Sequence, residues 1–207
     1  WTACTNVTLR GGYAATNDVV LPGSNHPARW PTVWVGPSTA RVLTVTGVTS
    51  SSLERVTLTR GRGVGSARGG GISFKDCGPV AVVEGVVTNN YGEKFGGGVY
   101  VENSPVELIR CRIGDNAVDD GGGYGAAHGG GIYCLSGSLS VRDSTVFGNT
   151  VTGDAASGGG GVGVGGGTVE LRNVLLAGNA AKSFGHGIYL AGGTLSMIAC
   201  NAVFHYG

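Results

Sequence analysis

Few side chains in this 207-residue chain are placed to make or break bonds. The sharpest group is Gly185-His186-Gly187 with the Asp119-Asp120 pair, and Thr16-Asn17-Asp18 adds a more distant carboxylate. Two or three carboxylates converging on one glycosidic oxygen, about 5–10 Å apart, hydrolyse a polysaccharide by general acid–base chemistry. A lyase instead needs clustered acids for calcium beside an Arg or Lys base. Asp115, Asp119 and Asp120 are the only dense acidic group, and their ordinary role is a solvated loop. Several facts weigh against catalysis. His186 stands where other copies of the same phrase have their middle glycine. The Asp pair lies two repeats earlier, in a variable loop on another part of the chain's repeat. No acidic or basic cluster is read at equivalent positions of adjacent repeats. The expectation is a protein that is not an enzyme, with His186, Asp119 and Asp120 as weak candidates and no metal or cofactor.

Tyr100, Tyr133 and Tyr189 recur at one repeat position. A structural aromatic ladder is the default, and a carbohydrate-stacking platform is the alternative. Thr44 and Thr46, and Thr57 and Thr59, form two TxT phrases, which strand propensity explains. The cysteines are Cys4, Cys77, Cys111, Cys134 and Cys200, with no CxxC pair, so a structural zinc site is not expected. Cys111 and Cys200 share a core position three coils apart, about 14 Å, too far for a disulfide.

The elements that must carry these residues are written in the glycines. There are 42 of them, against six prolines and 13% charged residues, and the net charge is +1. Collagen period, linker composition and disorder are excluded by this balance. The charge gives no sign of nucleic acid, and no run of about 20 apolar residues is present to insert in a membrane. A phrase Gly-Gly-Gly-apolar-Tyr/Ser/Gly starts at Gly69, Gly96, Gly129 and Gly159, and as GHGIY at Gly185. The starts recur with a period of about 30 residues, within the range of stacked repeat architectures. Asn116, Asn149 and Asn179 stand at one fixed distance after the start of their phrase and Asn90 one position further, and His205 takes the place in the last copy. Between these anchors apolar residues alternate: Val106 and Leu108 match Leu139 and Val141, Val169 and Leu171, and Leu195 and Met197.

Alternation of period two predicts about three short strands per repeat, and no stretch has helical periodicity. A repeat this short cannot bury its own apolar face, so it must stack on its neighbours. The fold predicted is all-β, a right-handed parallel β-helix (β-solenoid) of about seven coils, the hand following from the chirality of parallel crossovers. Gly69, Gly96, Gly129, Gly159 and Gly185 are placed at one corner, and Asn90, Asn116, Asn149 and Asn179 at another, where Asn tolerates the left-handed region and can form ladders. Residues 1–207 form one domain: 1–40 an irregular first coil with a cap or flap loop over 14–31, 41–68 a first regular coil, and 69–207 five glycine-anchored coils.

The phrase VTLRGGY (Val7 to Tyr13), the Pro-Thr-Val strand, RVLTVTGVTS (Arg41 to Ser50) and the repeated GGG[IV]Y…N phrases resemble secreted or cell-surface bacterial right-handed β-helix repeat proteins. Such proteins are common in Chloroflexota and other environmental bacteria. The repeat is also similar to the passenger repeats of chlamydial polymorphic outer-membrane proteins, although an apolar-x-Gly-Asn phrase replaces their FxxN. Gly185-His186-Gly187, Asp119-Asp120 and Thr16-Asn17-Asp18 faintly resemble the GHG, DD and NTD phrases of polygalacturonase-like hydrolases, whose later RIK is missing. The resemblance implies a non-catalytic extracellular or cell-surface solenoid, a stalk, adhesin or filament subunit. The last coil reads as uncapped, which fits either an excerpt of a longer solenoid or an end that docks on the next subunit, and end-to-end self-association is the expected partner relationship. A polysaccharide-binding or pectinase-like polysaccharide-degrading protein is the alternative.

Overall fold

A computed structural model describes residues 2, 3, 5–12, 28, 31–63, 68–120, 126–153 and 156–203. Among the described residues there is no helix, and every strand pairing is parallel. The chain is a parallel β-solenoid. The first coil holds β1 (Thr8–Arg10) and β2 (Thr32–Val35). The second holds β3 (Leu43–Thr46), β4 (Ser51–Glu54), β5 (Val56–Thr59) and β6 (Arg62–Gly63). The third holds β7 (Ile72–Lys75), β8 (Val80–Val83), β9 (Val86–Thr88) and β10 (Tyr91–Glu93). The fourth holds β11 (Val99–Glu102), β12 (Ser104–Ile109), β13 (Arg112–Gly114) and β14 (Ala117–Asp119). The fifth holds β15 (Ile132–Cys134), β16 (Gly137–Arg142), β17 (Thr145–Phe147) and β18 (Thr150–Val151). The sixth holds β19 (Val162–Val164), β20 (Thr168–Arg172), β21 (Leu175–Ala177) and β22 (Ala180–Ala181). The last holds β23 (Ile188–Leu190), β24 (Thr194–Ile198) and β25 (Asn201–Val203).

The strands stack into four faces. Face I runs β3-β7-β11-β15-β19-β23, and face II runs β1-β4-β8-β12-β16-β20-β24. Face III runs β2-β5-β9-β13-β17-β21-β25, and face IV runs β6-β10-β14-β18-β22. Five turns are complete, with a partial coil at each end, so the expected count of about seven coils is corrected to about five full ones. The expected three strands per coil become four. Face IV was missed because each of its strands turns only one position inward: Gly63, Gly92, Val118, Val151 and Ala181.

The core is a set of columns, one residue per coil. On face II Leu9, Leu53, Val82, Leu108, Val141, Leu171 and Met197 are in register. On face III the column is Trp34, Leu58, Val87, Ile113, Val146, Leu176 and Ala202. Leu43, Ile72, Val99, Ile132, Val162 and Ile188 do the same on face I. Each middle member is essentially fully buried. Burying one such side chain contributes about 1.5–3 kcal/mol, which a single coil cannot gain alone.

Glycine is not the general corner residue. The turn from face II to face III is made by Arg55, Glu84, Arg110, Asp143, Asn173 and Ala199, all with φ between 51° and 55°. A non-glycine residue in this region costs about 1–2 kcal/mol. Backbone bonds across the corner offset it, such as Arg55 N–H to the Val83 carbonyl and Glu84 N–H to that of Ile109, both 2.9 Å. Charge alternates up the same column: Arg55 Nε donates to Glu84 Oε2 at 2.8 Å and Arg110 Nη2 to Glu84 Oε1 at 3.1 Å.

Candidate functional site

The glycine phrase forms the corner from face IV to face I. Its first glycine, at Gly69, Gly96, Gly129, Gly159 and Gly185, has φ between 55° and 82°. Its second has no room for a side chain: a Cβ on Gly130 would stand 2.5 Å from the carbonyl oxygens of Gly160 and Thr150. Its third lies on the asparagine carboxamides, Gly131 on Asn149 and Gly161 on Asn179. Asn90, Asn116, Asn149 and Asn179 are buried at the corner from face III to face IV. Their own φ is ordinary. The left-handed residue is the one before each: Asn89, Asp115, Gly148 and Gly178. The reason asparagine is there is its side chain, not its backbone. Each carboxamide donates to a core-strand carbonyl, Asn116 Nδ2 to Val87 O at 2.9 Å and Asn149 Nδ2 to Ile113 O at 3.0 Å, and those of Asn90, Asn116 and Asn149 also donate to the next asparagine. His205, expected at the end of this column, lies outside the described residues, as do Asn17, Asp18, the 14–27 part of the expected cap, Trp30 and Cys4.

Outside face I, side chains form an aromatic row. Tyr100 stacks on Tyr133 at 6.1 Å between centroids, and Phe95 lies 4.7 Å from Tyr133. His128 stacks on Tyr133 at 6.0 Å and on Tyr189 at 4.8 Å, and Phe184 stacks on Tyr189 at 6.1 Å. Between His128 and Tyr189 the intervening coil offers only Gly158 and Gly163, and the rings close over both: a Cβ on either would stand under 3.0 Å from a tyrosine ring. Tyr100 and Tyr133 are 1% and 4% exposed, their faces covered by neighbouring rings and, at Tyr100, by the Arg68 guanidinium, while Tyr189 is half-buried. Burial holds the His128 pKa below its usual value, and Nδ1 accepts the Gly158 N–H at 3.2 Å. Burial pushes the Tyr100 phenol up to about 12.

His186 occupies the second position of its corner, is exposed, and its Nδ1 accepts the Ala181 N–H at 3.1 Å. Asp119 ends β14 and Asp120 follows it, buried. The two aspartates and the His186 corner are closer in the coil than the spacing suggested. β14 and β22, which leads into that corner, share face IV with one strand between them. Among the described residues no three His, Cys, Asp or Glu gather as metal ligands. Two like-charged pairs do stand in register: Glu93 and Asp119 on β10 and β14, and Arg142 and Arg172 on β16 and β20. The signal was available, since Glu93 and Asp119 stand at the same offset from their anchor asparagines. Arg62 lies 4.7 Å from the centroid of the Tyr91 ring on the same face.

Cys77, Cys111, Cys134 and Cys200 are free thiols. Burial pushes Cys111 and Cys134 up to about 11, which suits small apolar fillers and not nucleophiles. Thr44 and Thr46 are on face I and Thr57 and Thr59 on face III, so the TxT phrases share no ladder. A shallow groove of 500 Å³ runs along face II over Ser52, Ala81, Pro105, Ser140 and Thr168. No known protein family, no curated protein and no solved structure matches the chain.

Proposed function

We propose that this chain is a non-catalytic structural β-solenoid, displayed outside a bacterial cell, that associates end to end with a second copy. The observation carrying this reading is the match between its two ends. In the last coil Leu190, Met197, Ile198 and Val203 are exposed, and Ile188 and Leu195 are half-buried, although most of them continue core columns. In the first two coils Leu9, Trp34 and Leu43 end the same columns and are half-buried. All strands run parallel, so β1 and β2 of one copy extend faces II and III beyond β24 and β25 of another with no change of direction. Large then meets small, Trp34 over Ala202. Among the described residues β1 and β2 close faces II and III on one side and β24 and β25 on the other, and strand edges of this kind favour pairing.

Sedimentation and electron microscopy over a wide concentration range test the proposal. Short linear oligomers are expected at high concentration and monomers in Met197→Asp. Strictly monomeric particles throughout would overturn it. A polysaccharide-binding role is a second reading, favoured by the face II groove and its Ser and Thr hydroxyls.

A further inference from the structure

At the N-terminal end of the aromatic row, the side chains on face I change from apolar to cationic. Arg41, Arg68, Ser73, Lys75, Tyr100 and Glu102 line a cleft of 370 Å³. β7 and β11 set it in register, Ser73 beside Tyr100 and Lys75 beside Glu102. Arg41 enters just before β3, and Arg68 stands just before the Gly69 corner.

Arg68 is held in place from two sides. Its guanidinium lies 5.1 Å from the Phe95 ring centroid and 5.6 Å from that of Tyr100. Its Nη1 donates to the Tyr100 hydroxyl at 2.7 Å, and that hydroxyl donates to Glu102 Oε2 at 2.9 Å. Lys75 Nζ is 3.3 Å from Glu102 Oε1, and Arg68 Nη1 is 4.0 Å from Glu102 Oε2. One carboxylate therefore serves two cations. Arg41 is half-buried, and among the described residues no carboxylate pairs with it. Three cations against one carboxylate leave the cleft with a charge of +2. Burial lowers the Arg41 pKa, yet a guanidinium this basic stays charged near neutral pH. A charge withdrawn from water with no carboxylate partner among the described residues is a cost that an incoming anion removes.

We propose that this cleft binds an oxyanion, the carboxylate or sulfate group of an acidic ligand, with Arg41 as its principal donor and Arg68, Lys75 and the Ser73 hydroxyl completing the cradle. Guanidinium forks match planar and tetrahedral oxyanions, and a hydroxyl adds a neutral donor. The site is on face I, apart from the face II groove, and Arg41 enters it two residues before Leu43 at the N-terminal side of that face. Glu102 competes with the ligand for Lys75 and Arg68.

The test is titration of the full chain with sodium sulfate and, separately, with D-galacturonate. Ionic strength is held with sodium chloride and glucose serves as the uncharged control, with backbone amide signals of β7 and β11 followed by NMR. Saturable shifts with either anion support the site, and the anion that binds tighter identifies the source as sulfate or carboxylate. Arg41→Gln is expected to weaken binding about tenfold or more. Glu102→Gln is expected to tighten it about threefold, which keeps the test decisive if Arg41→Gln does not fold. Arg60→Gln, at an exposed corner elsewhere, is expected to change nothing. Shifts that never saturate with either anion overturn the proposal, as does equal affinity in the wild type and both cleft variants.

Discussion

Asn116 Nδ2 donates to Asn149 Oδ1 at 3.0 Å, and the same oxygen accepts the Asn116 backbone N–H at 3.1 Å. The pattern repeats from Asn90 to Asn116 and from Asn149 to Asn179. At the upper end Asn90 Oδ1 accepts the Gly61 N–H at 2.9 Å. Each middle carboxamide thus accepts two bonds and donates two, with no polar atom left over in a buried site.

Asn149→Ala removes the acceptor of two buried donors on Asn116. The expected loss is about 2–5 kcal/mol, read from urea unfolding. Asn149→Asp restores the acceptor but loses both donated bonds and buries a charge, so it is expected to fare no better. A loss in Asn149→Ala below about 1 kcal/mol contradicts the ladder as a stabilising element.

The middle position of the glycine phrase gives opposite outcomes in two coils. Gly130→Ala forces a Cβ against two backbone carbonyls that belong to the solenoid wall. A cost of about 3 kcal/mol or more is expected, with loss of soluble folded protein. His186→Gly gives up one hydrogen bond from Ala181 at an exposed corner, so its stability in urea unfolding is expected to change by no more than about 1 kcal/mol.

Glu84 sits between Arg55 and Arg110, and the hydrogen bond from Arg55 is the main cause that holds its pKa below the usual carboxylate value. A carboxylate depressed in the folded state adds stability above its unfolded pKa and loses it as pH falls through its folded value. Thermal melts of the wild type are therefore expected to decline below about pH 4, and Glu84→Gln is expected to melt lower at pH 7 with a shallower acid limb. Glu84 and Arg55 are only half-buried and Arg110 is exposed, so the effect is small and fades in high salt. Parallel acid limbs in the two proteins would rule out a contribution from this column.

Much of the architecture is legible in the sequence because each coil repeats the same contacts. Val106, Leu139, Val169 and Leu195 align by spacing and pair in that register. Face IV is hidden because two or three residues are too few for an alternation to register. The left-handed corner of Arg55, Glu84 and Arg110 is hidden because those residue types carry no mark of that conformation. The cationic cleft is hidden for another reason. Arg41 and Tyr100 stand two coils apart and belong to different repeat positions, so no periodicity joins them. Columns show in a sequence; diagonal relations across coils do not.

His186 has a consequence for how such a rod can be extended. The solenoid behaves as a one-dimensional crystal, each coil a lattice plane translated along one axis. At the second glycine of every earlier phrase the lattice leaves no space, because the carbonyl of the next plane fills it. A side chain at that point makes His186 a lattice defect: an identically wound plane cannot settle on this corner. In the proposed pairing the second copy is seated by faces II and III and stands clear of the His186 corner. In the proposed pairing this junction is chemically different from every junction inside the rod.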